Sequence, residues 1–158
     1  MDEDQTWLSR AVRLATDNVA RSGGPFGALV VRDGEVVGEG GNRVTADLDP
    51  TAHAEVVAIR AACRRVRDVS LAGATIYASC EPCPLCLAAA LWARLDAVVF
   101  AADREAAARA GFDDATFYRL LRPAADPAAW PMRVVHLPTP TSEEPFDAWR
   151  ASEERTPY

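Results

Sequence analysis

The spacing of apolar positions predicts a chain that alternates between helices and strands. Apolar residues recur at helical spacing from Trp7 to Arg21, and Ser22-Gly23-Gly24 ends that pattern. The segments Phe26 to Val31 and Glu35 to Arg43 are predicted strands, and Asp33-Gly34 between them is typical of a tight hairpin turn. The chain is therefore expected to begin with one helix and an antiparallel hairpin.

The same alternation continues through the rest of the chain. Four more helices are predicted, at Ala52 to Val66, Cys83 to Ala93, Ala115 to Leu121 and Ser142 to Glu153. Three more strands are predicted, at Ala74 to Ser79, Ala97 to Ala102 and Met132 to Leu137. The segment from the strand ending at Ala102 to Phe112 is predicted to be a loop. Such a sequence of elements is typical of α/β proteins with helices on both faces of a sheet. We predict a three-layer α/β/α sandwich with a five-stranded mixed sheet.

Length and composition favour a single small domain that covers residues 1–158. No apolar run is long enough to cross a membrane, and the first four residues are acidic, so we expect neither a membrane span nor a signal peptide. Of four cysteines, three lie between positions 80 and 86, which suits metal binding in a reducing, cytoplasmic setting. The net charge of −6 argues against a nucleic-acid partner.

His53, Cys83 and Cys86 have the residue types and spacing of zinc ligands. A structural zinc ion takes four protein ligands, whereas a catalytic zinc ion takes three and leaves one position to water. Glu55 lies beside His53 and offers a carboxylate that need not bind the metal. We therefore predict one catalytic Zn²⁺ per chain, with a bound water or hydroxide.

Two other metal sites remain open at this point, and both involve Cys80. This residue would complete a closed structural zinc site, and the spacing Cys80-x-x-Cys83-x-x-Cys86 also resembles part of an iron–sulfur ligand run. A cluster needs a fourth cysteine nearby, and none follows Cys86. A third interpretation is that Cys80 is a buried neighbour of the ligands that stabilises the thiolates of Cys83 and Cys86. A metal or redox module without enzymatic activity is the corresponding alternative function.

Both parts of the predicted zinc site are expected at helix N-termini. Asp49-Pro50-Thr51 resembles an N-cap and first turn ahead of His53, and Pro82 is expected at the first helical position ahead of Cys83. The helix dipole and the free N–H groups of a first turn favour thiolate, which is the form of cysteine that binds metal. Two helix N-termini would then converge on one ion.

Taken together, His53-Ala54-Glu55 and Pro82-Cys83-Pro84-Leu85-Cys86 resemble the H-x-E…P-C-x-x-C signature of zinc-dependent nucleobase deaminases. The chain is similar to the cytidine deaminase-like superfamily and, within it, to the bacterial guanine deaminases, over nearly its whole length. The further matching segments are Gly23 to Ala28, Asn42, Trp92-Ala93-Arg94, Ala110 to Asp114, Pro145 to Arg150 and a final tyrosine. The resemblance implies zinc-dependent hydrolytic deamination of a free purine base, foremost guanine to xanthine and ammonia.

The resemblance also implies roles for individual residues. Glu55 would take the water proton and return it to the substrate. Asn42 would hydrogen-bond the base, Phe26 would pack against its ring, and Asp114 would supply a second acidic group. The remaining members of the implied pocket are Trp92 as a wall and Ala54 through its backbone. From the residues alone, each of these three residues has an alternative interpretation. Asn42 is then a turn cap, Phe26 is a core residue and Asp114 is a helix cap.

For the C-terminus, the resemblance implies a homodimer in which an arm at 138–158 crosses to the partner and Tyr158 closes the partner's site. The alternative is a helix packed on its own domain. Guanosine, cytosine and ammeline are alternative substrates of the same chemistry. A tRNA adenosine deaminase would share the zinc site but should carry a basic surface, which the net charge does not favour.

Overall fold

The computed structural model describes residues 3–123, 128, 131–134 and 136–157. The chain divides into two compact units, Met1–Phe117 and Tyr118–Tyr158. Along the chain, the elements are α1 (Glu3–Ala20), β1 (Gly27–Arg32), β2 (Glu35–Gly41), α2 (Val44–Asp47), α3 (Ala54–Val66), β3 (Ala74–Cys80), α4 (Pro84–Trp92), β4 (Ala97–Ala102), α5 (Arg104–Arg109), α6 (Ala115–Leu120) and α7 (Glu144–Ala151). Within the part of the chain that is described, no helix is both long and apolar enough to span a bilayer.

The first unit contains a mixed sheet with the strand order β2-β1-β3-β4. Strand β1 pairs antiparallel with both β2 and β3, whereas β3 and β4 are parallel. The hairpin prediction is confirmed, because Asp33 and Gly34 both have positive φ, at 53° and 73°, as a tight turn between twisted strands requires. A mixed sheet that starts with an antiparallel hairpin is therefore confirmed.

The predicted fifth strand at Met132 to Leu137 is wrong: the sheet formed by the described residues has four strands, and the described positions of this segment form no ladder. Residue 135 lies outside the described residues. Met132, Val134 and Leu137 are 60%, 75% and 82% exposed. Alternating apolar residues indicate a strand only when a neighbouring strand supplies hydrogen bonds and a buried face, and Pro131 and Pro138 remove donors at both ends.

Helices cover both faces of the sheet. On one face, α1 packs through Ala11 against a cluster that includes Leu29, Val31 and Tyr77. On the other face, α3 and the end of α4 pack against a larger cluster whose centre is formed by Ala28, Val30, Ala58, Ala62, Ile76, Ala78 and Ala93. The three-layer α/β/α prediction is confirmed.

Two glycines set how closely the helices approach the sheet. A Cβ atom at Gly38 of β2 would lie 2.5 Å from the Ala58 carbonyl oxygen and from the Ala62 nitrogen in α3. A Cβ atom at Gly27 of β1 would lie 2.6 Å from the Ala11 carbonyl oxygen in α1. Because both contacts are with helix backbone, the helices rest on the strands at distances that only glycine permits.

Helix α5 lies where a loop was predicted. Its N-cap is Asp103, whose Oδ1 accepts a hydrogen bond from the Ala106 backbone N–H at 2.8 Å. An aspartate that caps a short alanine-rich run is a helix start, and the prediction missed it. In the second unit, α7 covers Glu144–Ala151 and is shorter at both ends than the predicted helix.

Candidate metal centre and active site

Two helix N-termini carry the predicted metal ligands. His53 is the N-cap of α3 and Cys83 is the N-cap of α4, both in extended backbone conformation. Both helices begin later than predicted. Oδ1 of Asp49 accepts hydrogen bonds from the Thr51 N–H at 2.8 Å and from its hydroxyl at 2.6 Å, so this segment closes a turn of its own instead of capping α3. The proline of the first turn of α4 is Pro84, not Pro82.

The three ligand atoms lie at the separations that one tetrahedral zinc ion requires. His53 Nδ1 is 3.5 Å from the sulfur of Cys83 and 3.5 Å from that of Cys86, and the two sulfurs are 3.6 Å apart. Bond lengths of ~2.3 Å to sulfur and ~2.0–2.1 Å to nitrogen place tetrahedral ligands about 3.5–3.8 Å from one another. The donor set and its spacing therefore fit zinc, and zinc is the cofactor of this site.

Hydrogen bonds already favour ionised forms within this cluster. The hydrogen bond between Cys83 and Cys86 lowers the pKa of Cys83 to about 4, and the bond between Cys83 and His53 raises the pKa of His53. The same bond to Cys83, together with burial, raises the pKa of Cys86. The cluster therefore holds thiolate character next to a thiol that a bound cation would deprotonate.

Glu55 lies beside the ligands without being one of them. It is 7% exposed, and its Oε2 accepts a hydrogen bond from the Cys86 thiol at 3.3 Å. Burial raises the pKa of this carboxyl above its usual value. A buried carboxylate at this position is suited to exchange a proton with a molecule bound next to the metal.

Cys80 does not join the ligands. Among the described residues, the group of potential metal donors consists of His53, Cys83 and Cys86. Cys80 is buried, its thiol donates to the Asp103 carbonyl oxygen at 3.6 Å, and burial raises its pKa. The position of Cys80 excludes it, because in the described part of the chain only the donor atoms of His53, Cys83 and Cys86 lie within 4.8 Å of one another. A closed four-ligand site is therefore not formed.

A cavity of about 620 Å³ lies in front of the ligands. Its walls include six of the residues that the sequence singled out: Phe26, Asn42, His53, Glu55, Cys83 and Asp114. These residues come from five separate segments of the first unit. The fold thus brings the metal ligands and the predicted base-binding residues to one cavity.

Three other predicted residues are placed differently. Ala54 is the first residue of α3, is 1% exposed and is not among the residues that line the cavity, so its predicted backbone contact with the base stays a prediction. Trp92 ends α4, is 64% exposed and lies 5.9 Å below the Arg94 guanidinium, and it is not part of the cavity wall. Tyr158 lies outside the described residues.

Asn42 is anchored between the β1 and β2 ends. Its backbone N–H donates to the Phe26 carbonyl oxygen at 3.1 Å, and its Oδ1 accepts from the Val44 N–H at 3.2 Å. The turn-cap interpretation of Asn42 is therefore correct, and it is compatible with a side chain that also faces the cavity. The cap fixes the direction in which the amide group points.

The two adjacent aspartates have different surroundings. Asp113 Oδ1 accepts from the Ala115 N–H at 2.9 Å and so caps α6. Asp114 is half-buried; burial raises its pKa above the usual value, and the nearby charge of Cys83 adds to the rise. Of the two carboxylates, Asp114 is therefore the one whose properties are shaped by the metal site.

Phe112, Glu81 and Arg104 are among the wall residues that were not predicted from the sequence as site residues. The rings of Phe112 and Phe26 meet edge to face with centroids 5.0 Å apart. At the rim, Glu81 Oε2 accepts from the Arg104 backbone N–H at 3.0 Å. Phe112 belonged to one of the matching segments and could have been proposed from it. The Glu81 and Arg104 contact had no sequence signal, because α5 was not predicted.

Comparisons with known protein families and proteins agree with this geometry. A family model described as cytidine and deoxycytidylate deaminase zinc-binding region matches residues 1–102. Guanine deaminase of Bacillus subtilis (strain 168) is 49% identical over 147 residues, which cover 92% of this chain and 93% of that protein. A tRNA-specific adenosine deaminase of Aquifex aeolicus is 38% identical over 96 residues, covering 61% and 64% of the two chains.

A solved structure is similar over the same length. The X-ray structure of guanine deaminase from Bacillus subtilis superimposes with a TM-score of 0.91 at 44% sequence identity, covering 98% of each chain. The tRNA-specific enzyme matches a shorter part of the chain, whereas this structure matches nearly all of it. The similarity therefore extends beyond the zinc-binding segments to the C-terminal part of the chain.

Proposed function

Because the chain belongs to the cytidine and deoxycytidylate deaminase family, we propose that it converts guanine to xanthine and ammonia by hydrolysis. The observation that carries the proposal is one cavity lined by the ligands His53 and Cys83, the buried Glu55 and the base wall. The sulfur of the third ligand, Cys86, lies 3.5 Å from His53 Nδ1 and 3.6 Å from the sulfur of Cys83. The Bacillus subtilis relative, which matches 92% of this chain, is named guanine deaminase. This name supports guanine over other substrates of the same chemistry.

The chain's own residues carry the proton transfers. His53, Cys83 and Cys86 would hold the zinc ion, whose charge would lower the pKa of a water and make it a nucleophile at neutral pH. Glu55 accepts the proton of that water and delivers it to the ring nitrogen beside the attacked carbon. Glu55 then passes the remaining hydroxyl proton to the departing amine, which leaves as ammonia. Its burial keeps bulk water from competing for the carboxylate.

The opposite wall binds the base. Phe26 and Phe112 meet edge to face, so the purine ring can pack against the face of one ring while the other forms an apolar side of the pocket. Asn42 presents an amide whose direction is fixed by its bond from Val44, so it can match a donor and an acceptor on the purine edge. Asp114 accepts from guanine N–H groups or relays a proton between base and solvent.

Ammonia release from a panel of bases tests the proposal. Zinc-loaded protein is expected to release ammonia from guanine and to be at least tenfold slower with guanosine, cytosine, adenine, adenosine and ammeline. Glu55→Gln should keep the zinc and lose about 10²–10⁴-fold in kcat, because the proton acceptor is gone. Glu35→Gln, on the exposed start of β2, is the matched control and should leave the rate unchanged.

Other outcomes of the panel would change the assignment. Faster release from guanosine or cytosine would keep the chemistry and reject the free-base pocket. Deamination of adenosine in an RNA stem-loop, with no activity on guanine, would favour the tRNA enzyme, which matches 61% of the chain. Full activity in Glu55→Gln would reject the proton-transfer role.

The assembly and location are further parts of the proposal. We propose a homodimer in which the segment 138–158 extends to the partner and Tyr158 closes the partner's cavity, with the whole chain acting as one deaminase domain. The exposed Phe146 and Trp149 of α7 support an arm that needs an apolar surface to cover it. The four free cysteines support a reducing, cytoplasmic setting. Light scattering of the purified protein should give twice the chain mass, and a monomer would reject the exchange.

A further inference from the structure

Asn18, near the end of α1, contacts two of the loops that carry the base wall, those after α1 and after β2. Its Nδ2 donates to the Gly24 carbonyl oxygen at 2.8 Å and to the Asn42 carbonyl oxygen at 2.9 Å. One amide group therefore joins the segment after α1 to the end of β2. Gly24 and Asn42 are 18 residues apart in the chain, and both lie outside helices and strands.

Two glycines make room for this side chain, and a third makes room for the side chain of Asn42. A Cβ atom at Gly23 would lie 2.3 Å from Asn18 Nδ2, and one at Gly41 would lie 2.6 Å from Asn18 Oδ1. A Cβ atom at Gly24 would lie 3.0 Å from the side chain of Asn42. Any larger residue at these positions would displace one of the two amides. The glycines therefore fit closely around the two asparagine side chains. A residue that only ended α1 would not need such close surroundings.

The backbone around Asn18 leads directly to the substrate-facing groups. The Gly24 carbonyl oxygen also accepts from the Phe26 N–H at 2.9 Å, and the Phe26 carbonyl oxygen accepts from the Asn42 N–H at 3.1 Å. Asn18, Gly24, Phe26 and Asn42 thus form one hydrogen-bonded network. Displacement of Asn18 would move the ring of Phe26 and the amide of Asn42 together.

We infer that Asn18 is a positioning residue for purine binding, which acts by holding Asn42 and Phe26 in their bound arrangement. The inference rests on the proposed function for the identity of the base. Asn18 itself is not part of the cavity wall, so it does not touch the substrate. The proposed contacts of Asn42 and Phe26 are with the ring and edge of the base, which stay bound throughout the reaction. Loss of Asn18 should therefore raise KM more than it lowers kcat.

Asn18→Asp is the first test, because it keeps the shape and replaces the donor by an acceptor that repels both carbonyl oxygens. We expect KM for guanine to rise roughly 10-fold to 100-fold, since two hydrogen bonds are lost, with kcat changed less than threefold and zinc content unchanged. Asp17→Asn, a charge change at the adjacent exposed position of α1, is the matched control and should leave KM as it was. Asn18→Ala should show the same direction with a smaller rise.

A double mutant separates positioning from general support of the fold. If Asn18 acts through Asn42 and Phe26, then Asn18→Asp combined with Asn42→Ala should lose less affinity for guanine than the sum of the two single losses. Additive losses, or a loss of zinc in both Asn18→Asp and Asn18→Ala, would overturn the inference in favour of a purely structural role. An unchanged KM in the folded variants would overturn it as well.

A readout that needs no substrate keeps this test distinct from the proposed function. Amide hydrogen exchange of the Phe26 and Asn42 N–H groups should become at least tenfold faster in Asn18→Asp, while the exchange of amides in the middle of α3 stays constant. If the wild-type protein did not deaminate guanine, the proposed function would fail but this result would still stand. Unchanged exchange at both amides would reject the positioning role whatever the substrate is.

Discussion

The two walls of the cavity are built in different ways. On the metal side, His53, Glu55, Cys83 and Cys86 lie at the starts of two helices that pack into the larger core cluster, and Cys86 is 1% exposed. On the base side, the wall residues lie in loops after α1, β2 and α5, and Phe112 is 46% exposed. The metal wall is part of the core, whereas the base wall lies in loops that are joined by hydrogen bonds, and Phe26 of these loops packs against the core.

This difference fits the division of tasks between chemistry and recognition. Zinc requires ligand atoms at narrowly defined distances, which helices packed on a sheet can hold. Recognition of a particular base can change by altering loops without disturbing the core. The family to which the chain belongs includes relatives named for guanine and for adenosine in tRNA, and the similarity to the latter covers a smaller share of the chain.

The largest effect is expected from breaking the metal side. Cys86→Ala should abolish zinc binding and reduce activity by more than about 10⁴-fold, because both the ion and the activated water are lost. Cys80→Ala is the matched control, since it removes a second buried cysteine of the same segment that bonds to backbone instead of metal. Metal analysis should find one zinc per chain in Cys80→Ala and none in Cys86→Ala.

A Cys80→Ala protein without zinc would show that the structure assigns the ligands wrongly. A Cys86→Ala protein that keeps one zinc per chain and full activity would show that Cys86 is not a zinc ligand.

A smaller effect is expected where the two walls meet, at Asp114. Burial raises the pKa of this carboxyl above its usual value of 3.8. Because only the ionised form accepts a proton, the contribution of Asp114 is present above that raised pKa and is lost as the pH falls through it. Asp114→Asn should lower kcat/KM about 10²-fold at pH 7. It should also remove the fall in kcat/KM at low pH that protonation of Asp114 causes.

Asp113→Asn is the control for this prediction, because Asp113 caps α6 through one oxygen that asparagine retains. The pH dependence of kcat/KM for the three proteins decides the point. An Asp114→Asn profile that matches the wild type in height and shape would remove Asp114 from the mechanism.

The smallest effect is expected from Gly38→Ala, a substitution in β2 that affects the metal side only through the packing of α3. Gly38→Ala places a methyl group 2.5 Å from backbone atoms of α3, so the helix that starts at His53 must shift. We expect the free energy of unfolding to fall by about 1–3 kcal/mol, as for other overpacked sites, with a modest loss of zinc affinity. Denaturant unfolding of the zinc-loaded and metal-free forms measures both.

Glu35→Ala, at the exposed start of the same strand, should change the stability by less than about 0.5 kcal/mol. If Gly38→Ala were as stable as the wild type, β2 and α3 would not be in the close contact that the structure shows.

Residues close together in the chain were predicted well. The ligands Cys83 and Cys86 and the pair His53 and Glu55 are separated by three and two positions, so local backbone geometry alone brings each pair together. The hairpin at Asp33-Gly34 and the strands that it joins were predicted for the same reason. Helix starts were less accurate, because the turn closed by Asp49 competes with the helix for the same residues.

Contacts between distant parts of the chain could not be read in this way. The bonds of Asn18 to Gly24 and Asn42 depend on where α1 rests on the sheet, and the ring contact of Phe112 depends on the course of the chain after α5. The apolar alternation at 132–137 resembled a strand, but only a neighbouring strand can make it one. Local spacing thus determined the metal chemistry, whereas long-range packing decided which side chains surround the base.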